Sequence, residues 1–204
     1  MYWVILSSAV ASSDFPEGFE RVTFGSLIKL VHQDSEYRLN SIGVNYASGS
    51  GQQVVTSVPT AKDANSYWTV RSGFSEEEKD LGTVVKCNDI IRLQHVNTQK
   101  HLHSHFQKSP VSQQQEVSAF GEENLDDNWK VVCKTDFKAW ERNEPVELFH
   151  IGTEKYLSTS KDHEFGNPIQ GQLEIYAAAS GVDSHWKALE GVYVSEDTAE
   201  HGEL

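Results

Sequence analysis

The sequence predicts an all-β protein assembled from three copies of one unit, and three observations carry that prediction. The first is a threefold repeat. Ile28-Lys29-Leu30-Val31-His32, Ile91-Arg92-Leu93-Gln94-His95 and Val146-Glu147-Leu148-Phe149-His150 superimpose, with their leucines 63 and 55 residues apart. Leu39, Leu102 and Leu157 keep the same spacings, and Trp68, Trp129 and Trp186 follow the first leucines by 38, 36 and 38 residues. Three anchors in register three times is a repeat architecture. The second observation is alternation: each first segment reads apolar, polar, apolar, the period of a half-buried strand. The third is punctuation. Gln33-Asp34-Ser35-Glu36, Asn97-Thr98-Gln99-Lys100 and Gly152-Thr153-Glu154-Lys155 are rich in turn formers, and no segment carries a convincing helical period.

Each unit then divides into four strands. The turn joins the first strand to a second that carries Leu39, Leu102 or Leu157, so this pair is expected to be a hairpin. A polar stretch follows, with Gly49-Ser50-Gly51, Ser109-Pro110 or Gly166-Asn167-Pro168. The third strand holds Val55, Val117 or Ile175, and the fourth holds the tryptophan. A unit of roughly 55–60 residues could hardly bury a core alone. Twelve strands closing on themselves remove the exposed edges that invite aggregation. The expected fold is a β-trefoil with pseudo-threefold symmetry over residues 20–194, with repeats at about 22–72, 84–134 and 142–194. A charged loop at 75–80 and a segment at 134–144 containing Trp140 link the repeats, and 195–204 forms an acidic tail.

Composition narrows the function. The chain has 204 residues, 38% of them hydrophobic, and a net charge of −13. Such a surface repels phosphate backbones, which argues against nucleic-acid binding. No stretch is long enough to span a bilayer as a helix. Residues 1–11 contain the apolar run Tyr2-Trp3-Val4-Ile5-Leu6 and end in Ala9-Val10-Ala11, the small-x-small form of a signal-peptidase site. They are expected to be a short or truncated secretory signal; the alternative is an apolar first strand. The chain ends His201-Gly202-Glu203-Leu204. This is the endoplasmic-reticulum retrieval pattern with Gly202 in place of aspartate, so retention is expected to be weakened, with secretion as the alternative. Cys87 and Cys133 are the two cysteines. In an oxidising compartment they are expected to pair; two buried thiols are the alternative.

His101, His103 and His105 alternate along one strand and share a face. Neighbours two apart are separated by nearly 7 Å at ~3.3 Å per residue, so the outer pair cannot share one ion without a bend. The expectation is therefore no metal, and either hydrogen bonding around the turn or contact with a ligand in a groove. Tyr37 and Tyr156 fall beside the same hairpin position and are further binding candidates. His32, His95 and His150 occupy one repeated position and are expected to serve the architecture, as are the three tryptophans. No nucleophile, base and orienting group can be recognised together, and there is no phosphate loop. No enzyme activity and no cofactor are expected.

His95-Val96-Asn97-Thr98 followed by His101-Leu102-His103-Ser104-His105 resembles the signature of the MIR motif. That motif occurs in protein O-mannosyltransferases and in inositol trisphosphate and ryanodine receptors. Gly49 to Gln53, Asn65 to Trp68, Glu116 to Glu123 and the paired cysteines extend the resemblance. Over roughly residues 20–194 the chain is similar to the stromal cell-derived factor 2 family. The resemblance implies a soluble protein of the endoplasmic-reticulum lumen. Such a protein acts in folding quality control and the unfolded-protein response, with a J-domain co-chaperone, the luminal Hsp70 and unfolded clients as partners. In plants it implies support for the maturation of cell-surface receptors. A carbohydrate-binding module, taking mannose or an O-mannosyl glycan, is the rival expectation.

Overall fold

The computed structural model describes residues 15–134, 136–179 and 181–196. The expected signal peptide and the retrieval-like tetrapeptide lie outside the described residues. Repeat 1 contains β1 (Leu27–His32), β2 (Arg38–Asn45), β3 (Gln53–Val58) and β4 (Trp68–Ser72). Repeat 2 contains β5 (Ile90–His95), β6 (His101–Lys108), β7 (Gln115–Phe120) and β8 (Trp129–Cys133). Repeat 3 contains β9 (Val146–His150), β10 (Lys155–Glu164), β11 (Leu173–Ala178) and β12 (Trp186–Val192).

Six strands form a closed ring: β1 pairs with β4, β4 with β5, β5 with β8, β8 with β9, β9 with β12, and β12 with β1. The other six form three hairpins, β2–β3, β6–β7 and β10–β11. Their inner strands β3, β7 and β11 pair with one another in a triangle. A six-stranded barrel with three hairpins about a pseudo-threefold axis is a β-trefoil.

Two expectations need refinement. The first and second strands of a unit form the expected antiparallel hairpin, but a short one. They share one aligned pair in repeats 1 and 2, Val31↔Arg38 and Gln94↔His101, and two in repeat 3. The first strand lies in the barrel wall with neighbours on both sides, so its ladder is largely spent before the second strand arrives. The first strand is not, however, half-buried. Lys29, Arg92 and Glu147, its polar positions, are only 2%, 8% and 3% exposed. Connecting segments cover the outside of the barrel there, and each charge has found partners, as a buried charge must. Lys29 Nζ donates to the carbonyls of Ala61 and Asp63 at 2.5 and 3.0 Å. Arg92 donates to the Ser72 carbonyl at 2.8 Å and to Glu123 at 2.6 Å. Glu147 accepts from Ser184 Oγ at 2.9 Å and Lys134 Nζ at 3.1 Å.

The nine repeat anchors, six leucines and three tryptophans, are all fully buried in one core. The indoles of Trp68, Trp129 and Trp186 donate to the carbonyls of Leu39, Leu102 and Leu157 at 3.1, 2.9 and 2.9 Å. The spacing of second leucine and tryptophan is thus a hydrogen bond that each repeat makes within itself. A fourth anchor set is Val22, Val85 and Trp140, each eight residues before a first leucine. Val22 N–H donates to the Trp140 carbonyl, Trp140 to Val85, and Val85 to Val22, all at 2.9 Å. This cycle joins the three repeats at their entry segments, so the presumed linker at 134–144 contributes a core residue.

Cys87 and Cys133 form a disulfide that ties the approach to β5 to the end of β8. Closing a loop across a sequence separation of 46 is worth about 4 kcal/mol in the chain-entropy account. Replacing both cysteines by serine is expected to lower the unfolding free energy by up to that amount. Urea denaturation followed by tryptophan fluorescence would measure the loss.

Candidate functional site

The repeated histidines stand where one repeat meets the next. His95 lies 4.9 Å from the Trp68 ring of the preceding repeat, and His150 lies 4.8 Å from Trp129. His95 Nδ1 meets Thr98 Oγ1 at 2.8 Å and Nε2 meets the Asn65 carbonyl at 2.9 Å. His150 repeats this with Thr153 and the Asp126 carbonyl, both at 2.8 Å. A carbonyl only accepts, so the proton sits on Nε2 and Nδ1 accepts from the hydroxyl. The threonines in turn accept from Gln53 and Gln115 Nε2, at 3.0 and 2.7 Å. A glutamine–threonine–histidine–carbonyl relay therefore crosses the 1→2 and 2→3 junctions.

The 3→1 junction breaks the relay. His32 still packs on Trp186 at 5.1 Å and its Nδ1 still meets Ser35 Oγ at 2.9 Å. Leu173 replaces the glutamine. Asn65 and Asp126 lie in short 3-10 turns, Ala64–Ser66 and Leu125–Asp127, whereas Asp183 has a left-handed φ of 56°. Its carbonyl accepts from the Thr159 N–H at 3.1 Å. His32 Nε2 is buried and makes no well-formed hydrogen bond, although the Asp183 backbone stays close enough to favour protonation of the ring against the effect of burial. A cavity of about 170 Å³ opens here, lined by His32, Asp34, Ser35, Ser160, Lys161 and Asp183.

The predicted binding residues are not gathered into one site. His101 and His103 are buried and His105 is partly exposed. His103 Nδ1 meets Asp127 Oδ1 at 2.9 Å, and its ring packs on Phe120 at 5.1 Å and His105 at 5.2 Å. His101 Nε2 lies 3.8 Å from Glu123, which Arg92 already holds. Tyr156 packs edge-on against Phe149 at 5.1 Å, in repeat 3. Tyr37 lies under Lys161 at 6.0 Å, in repeat 1. Among the described residues no three histidines, cysteines or carboxylates are placed to share a metal ion.

Two buried glutamates escaped the sequence reading. Glu174 accepts from the Val111 and Ser112 N–H groups at 2.9 and 2.7 Å and from Ser109 Oγ at 3.1 Å, holding the β6–β7 loop. Glu116 receives Ser50 of the β2–β3 loop in the same way, and burial pushes its carboxyl up from the usual range. Gly49, at φ 72°, leaves the space that this carboxylate fills. The signal was available: a glutamate stands immediately before Val117 and Ile175, where repeat 1 has Val54.

A β-trefoil whose repeats are stapled by histidine, hydroxyl and tryptophan defines the class. The MIR domain family matches residues 21–139. Stromal cell-derived factor 2-like protein 1 of Homo sapiens is 43% identical over 194 residues, covering 92% of this chain and 86% of that protein. The crystal structure of the SDF2-like protein from Arabidopsis thaliana superimposes with a TM-score of 0.84 at 41% identity, over 87% of this chain and 99% of that one. The chain carries a MIR domain and belongs to the stromal cell-derived factor 2 family. A lower likeness, TM-score 0.74 at 26% identity, is to the S. cerevisiae protein O-mannosyltransferase Pmt1–Pmt2 complex, covering 93% of this chain but 28% of that one.

Burial depresses the imidazole pKa of His32, His95, His101, His105 and His150. Their contribution is complete above the unfolded value of about 6.5 and is lost as pH falls through the lower folded values. Glu116 and Glu141, both raised mainly by burial, act in the opposite sense on acidification. Between pH 7 and about 5.5 the unfolded imidazoles take up protons that the buried ones resist, so Tm is expected to fall; calorimetry across that range checks it. Glu174→Ala strips two backbone N–H groups of their acceptor and is expected to cost about 3 kcal/mol, measured by chemical denaturation.

Proposed function

We propose that this protein is a non-enzymatic accessory of protein folding in the lumen of the endoplasmic reticulum. It binds a luminal J-domain co-chaperone and, through it, the luminal Hsp70, and helps to hold unfolded clients during quality control and the unfolded-protein response. In a plant the same role would serve the maturation of cell-surface receptors. The observation that carries this reading is family membership across nine-tenths of the chain. The disulfide suits an oxidising compartment, and among the described residues no helix is long and apolar enough to cross a membrane. Among the described residues, the buried polar side chains named above hold repeats and loops together.

A second reading is a carbohydrate-binding module for mannose or an O-mannosyl glycan. It is favoured by the likeness to an O-mannosyltransferase complex, whose solved form is described as bound to the sugar donor, and by the polar cavity at the 3→1 junction.

Affinity capture of the tagged full chain from secretory cells tests both. Co-purification of a J-domain protein and Hsp70 from the luminal fraction is expected. Recovery of neither, with release of the bound material by mannose, would sink the chaperone reading in favour of the second. Export of the tagged chain to the medium would mark it as secreted instead of retained.

A further inference from the structure

We propose that the end of the β6–β7 hairpin is a docking site for an acidic peptide segment of a partner protein, one that carries an apolar side chain between carboxylates. The site goes beyond the chaperone and carbohydrate readings and depends on neither. The fold leaves the Phe106 ring 83% exposed. Phe106 stands four residues after Leu102, and the same place after Leu39 and Leu157 holds Gly43 and Lys161. The architecture therefore has no need of a ring there. The β6–β7 ladder slips between Ser104 and Lys108, so that residues 105–107 face Glu116 alone. A bulge of this kind takes a side chain out of the ladder and re-aims it. Aromatic side chains are enriched among the anchors that protein interfaces bury.

Phe106 borders an open groove of about 200 Å³, lined also by Gln107, Lys108, Gln113 and Gln114 of the hairpin and by Lys155 at the start of β10. The loop that carries the groove is braced. Gln113 Nε2 donates to the Ser109 and Pro110 carbonyls at 3.1 and 3.2 Å, and the Ser109 N–H donates to the Gln114 carbonyl at 2.9 Å. Glu174 holds the same loop through Ser109, Val111 and Ser112. A braced loop loses little freedom when a partner docks.

The charge of the groove runs against that of the chain. The net charge is −13, yet residues 90–115 contain no Asp or Glu. Neither Lys108 nor Lys155 is ion-paired with a described carboxylate, and this includes Glu154 beside Lys155. The buried Glu116 and Glu174 are already engaged, by Ser50 and by the β6–β7 loop. Two unpaired ammonium groups beside an exposed ring are answered by carboxylates beside an apolar side chain. The Gln107 and Gln114 amides can both donate to and accept from a peptide backbone. A short acidic segment feels these local lysines, because exposed charges further than roughly 8–10 Å are screened. An anionic lipid surface would meet the whole acidic chain and be repelled.

The test is fluorescence polarisation of a short labelled peptide, a leucine flanked on each side by two glutamates, titrated with the full chain. Saturable binding is expected, and it should weaken as salt rises from roughly 0.05 to 0.5 M. Phe106→Ser, Lys108→Glu with Lys155→Glu, and serine in place of the peptide's leucine should each weaken it at least about tenfold. Phe106→Ser should leave Tm unchanged, since the ring lies in solvent. No binding of the peptide, or binding that survives Phe106→Ser, would overturn the site. Tighter binding of the peptide with lysines in place of its glutamates would overturn the charge assignment. A dimer in sedimentation equilibrium that Phe106→Ser dissolves would give the face to a second copy of the chain. Flotation with phosphatidylserine vesicles that Phe106→Ser abolishes would give it to a membrane. Either result would overturn the peptide proposal.

Discussion

Each strand of the barrel needs a neighbour on both sides, and no repeat can supply both from its own residues. β1 is flanked by β4 of its own repeat and by β12 of the third. The β5 and β9 strands are placed alike, each taking one partner from the preceding repeat. The demand is cyclic, so it is met only when all three repeats are present. The Val22–Trp140–Val85 ring of hydrogen bonds and the β3–β7–β11 triangle impose the same condition elsewhere along the axis. Around this closure the leucines and indoles condense into a core, and the junction histidines fasten each repeat to the tryptophan before it.

Much of this was legible because the demand is repeated. Leu30, Leu39 and Trp68 recur as the same residue types, and the eye finds them at fixed spacing. Val22, Val85 and Trp140 perform one task with two unlike residues. They stand outside the strands, and although each precedes a first leucine by eight residues, their shared task shows only in their backbone partners. The alternation in Ile28-Lys29-Leu30 reported polarity correctly, but it could not report that residues 61–67 would fold over Lys29. The hairpin between first and second strands is present but shorter than its turn signal suggests, for a related reason. A local turn signal says that the chain reverses, and the neighbours already present decide whether a ladder follows. The cysteine pair was accessible through number and compartment, and its geometry fits a bond. The binding candidates fared differently. His103 pairs with Asp127 inside the second repeat, His101 is buried with its Nδ1 unpartnered, Tyr156 packs against Phe149, and Tyr37 lies under Lys161. Nothing in the local sequence distinguishes an imidazole with a partner from one without.

Family membership and site geometry inform different levels. The first assigns the chain to proteins of one architecture across nine-tenths of its length. The second shows where that architecture is not used up. Equivalent positions at the three junctions carry an asparagine pair (Asn65 and Asn97), an aspartate with a glycine (Asp126 and Gly152), and an aspartate pair (Asp183 and Asp34), on a backbone that is otherwise shared. Such divergence is cheap for stability, because the tryptophan and leucine bonds carry the fold. It leaves surface chemistry free to differ between faces of one molecule.

The Arg142 guanidinium lies 3.8 Å from the Phe15 ring and 3.6 Å from the Tyr193 ring, and it donates to the carbonyls of Phe19 and Leu189 at 3.0 Å each. Residues near the beginning and the end of the described chain are thus gripped by one side chain from the third repeat. In a ring of three equal units, where the polymer begins is a matter of bookkeeping, and the clasp makes good the one peptide connection that is missing. A chain in which the two ends were fused and a new opening cut at residues 75–80, between repeats 1 and 2, would trace the same ring. The order of the repeats is a property of the gene; their adjacency is a property of the fold.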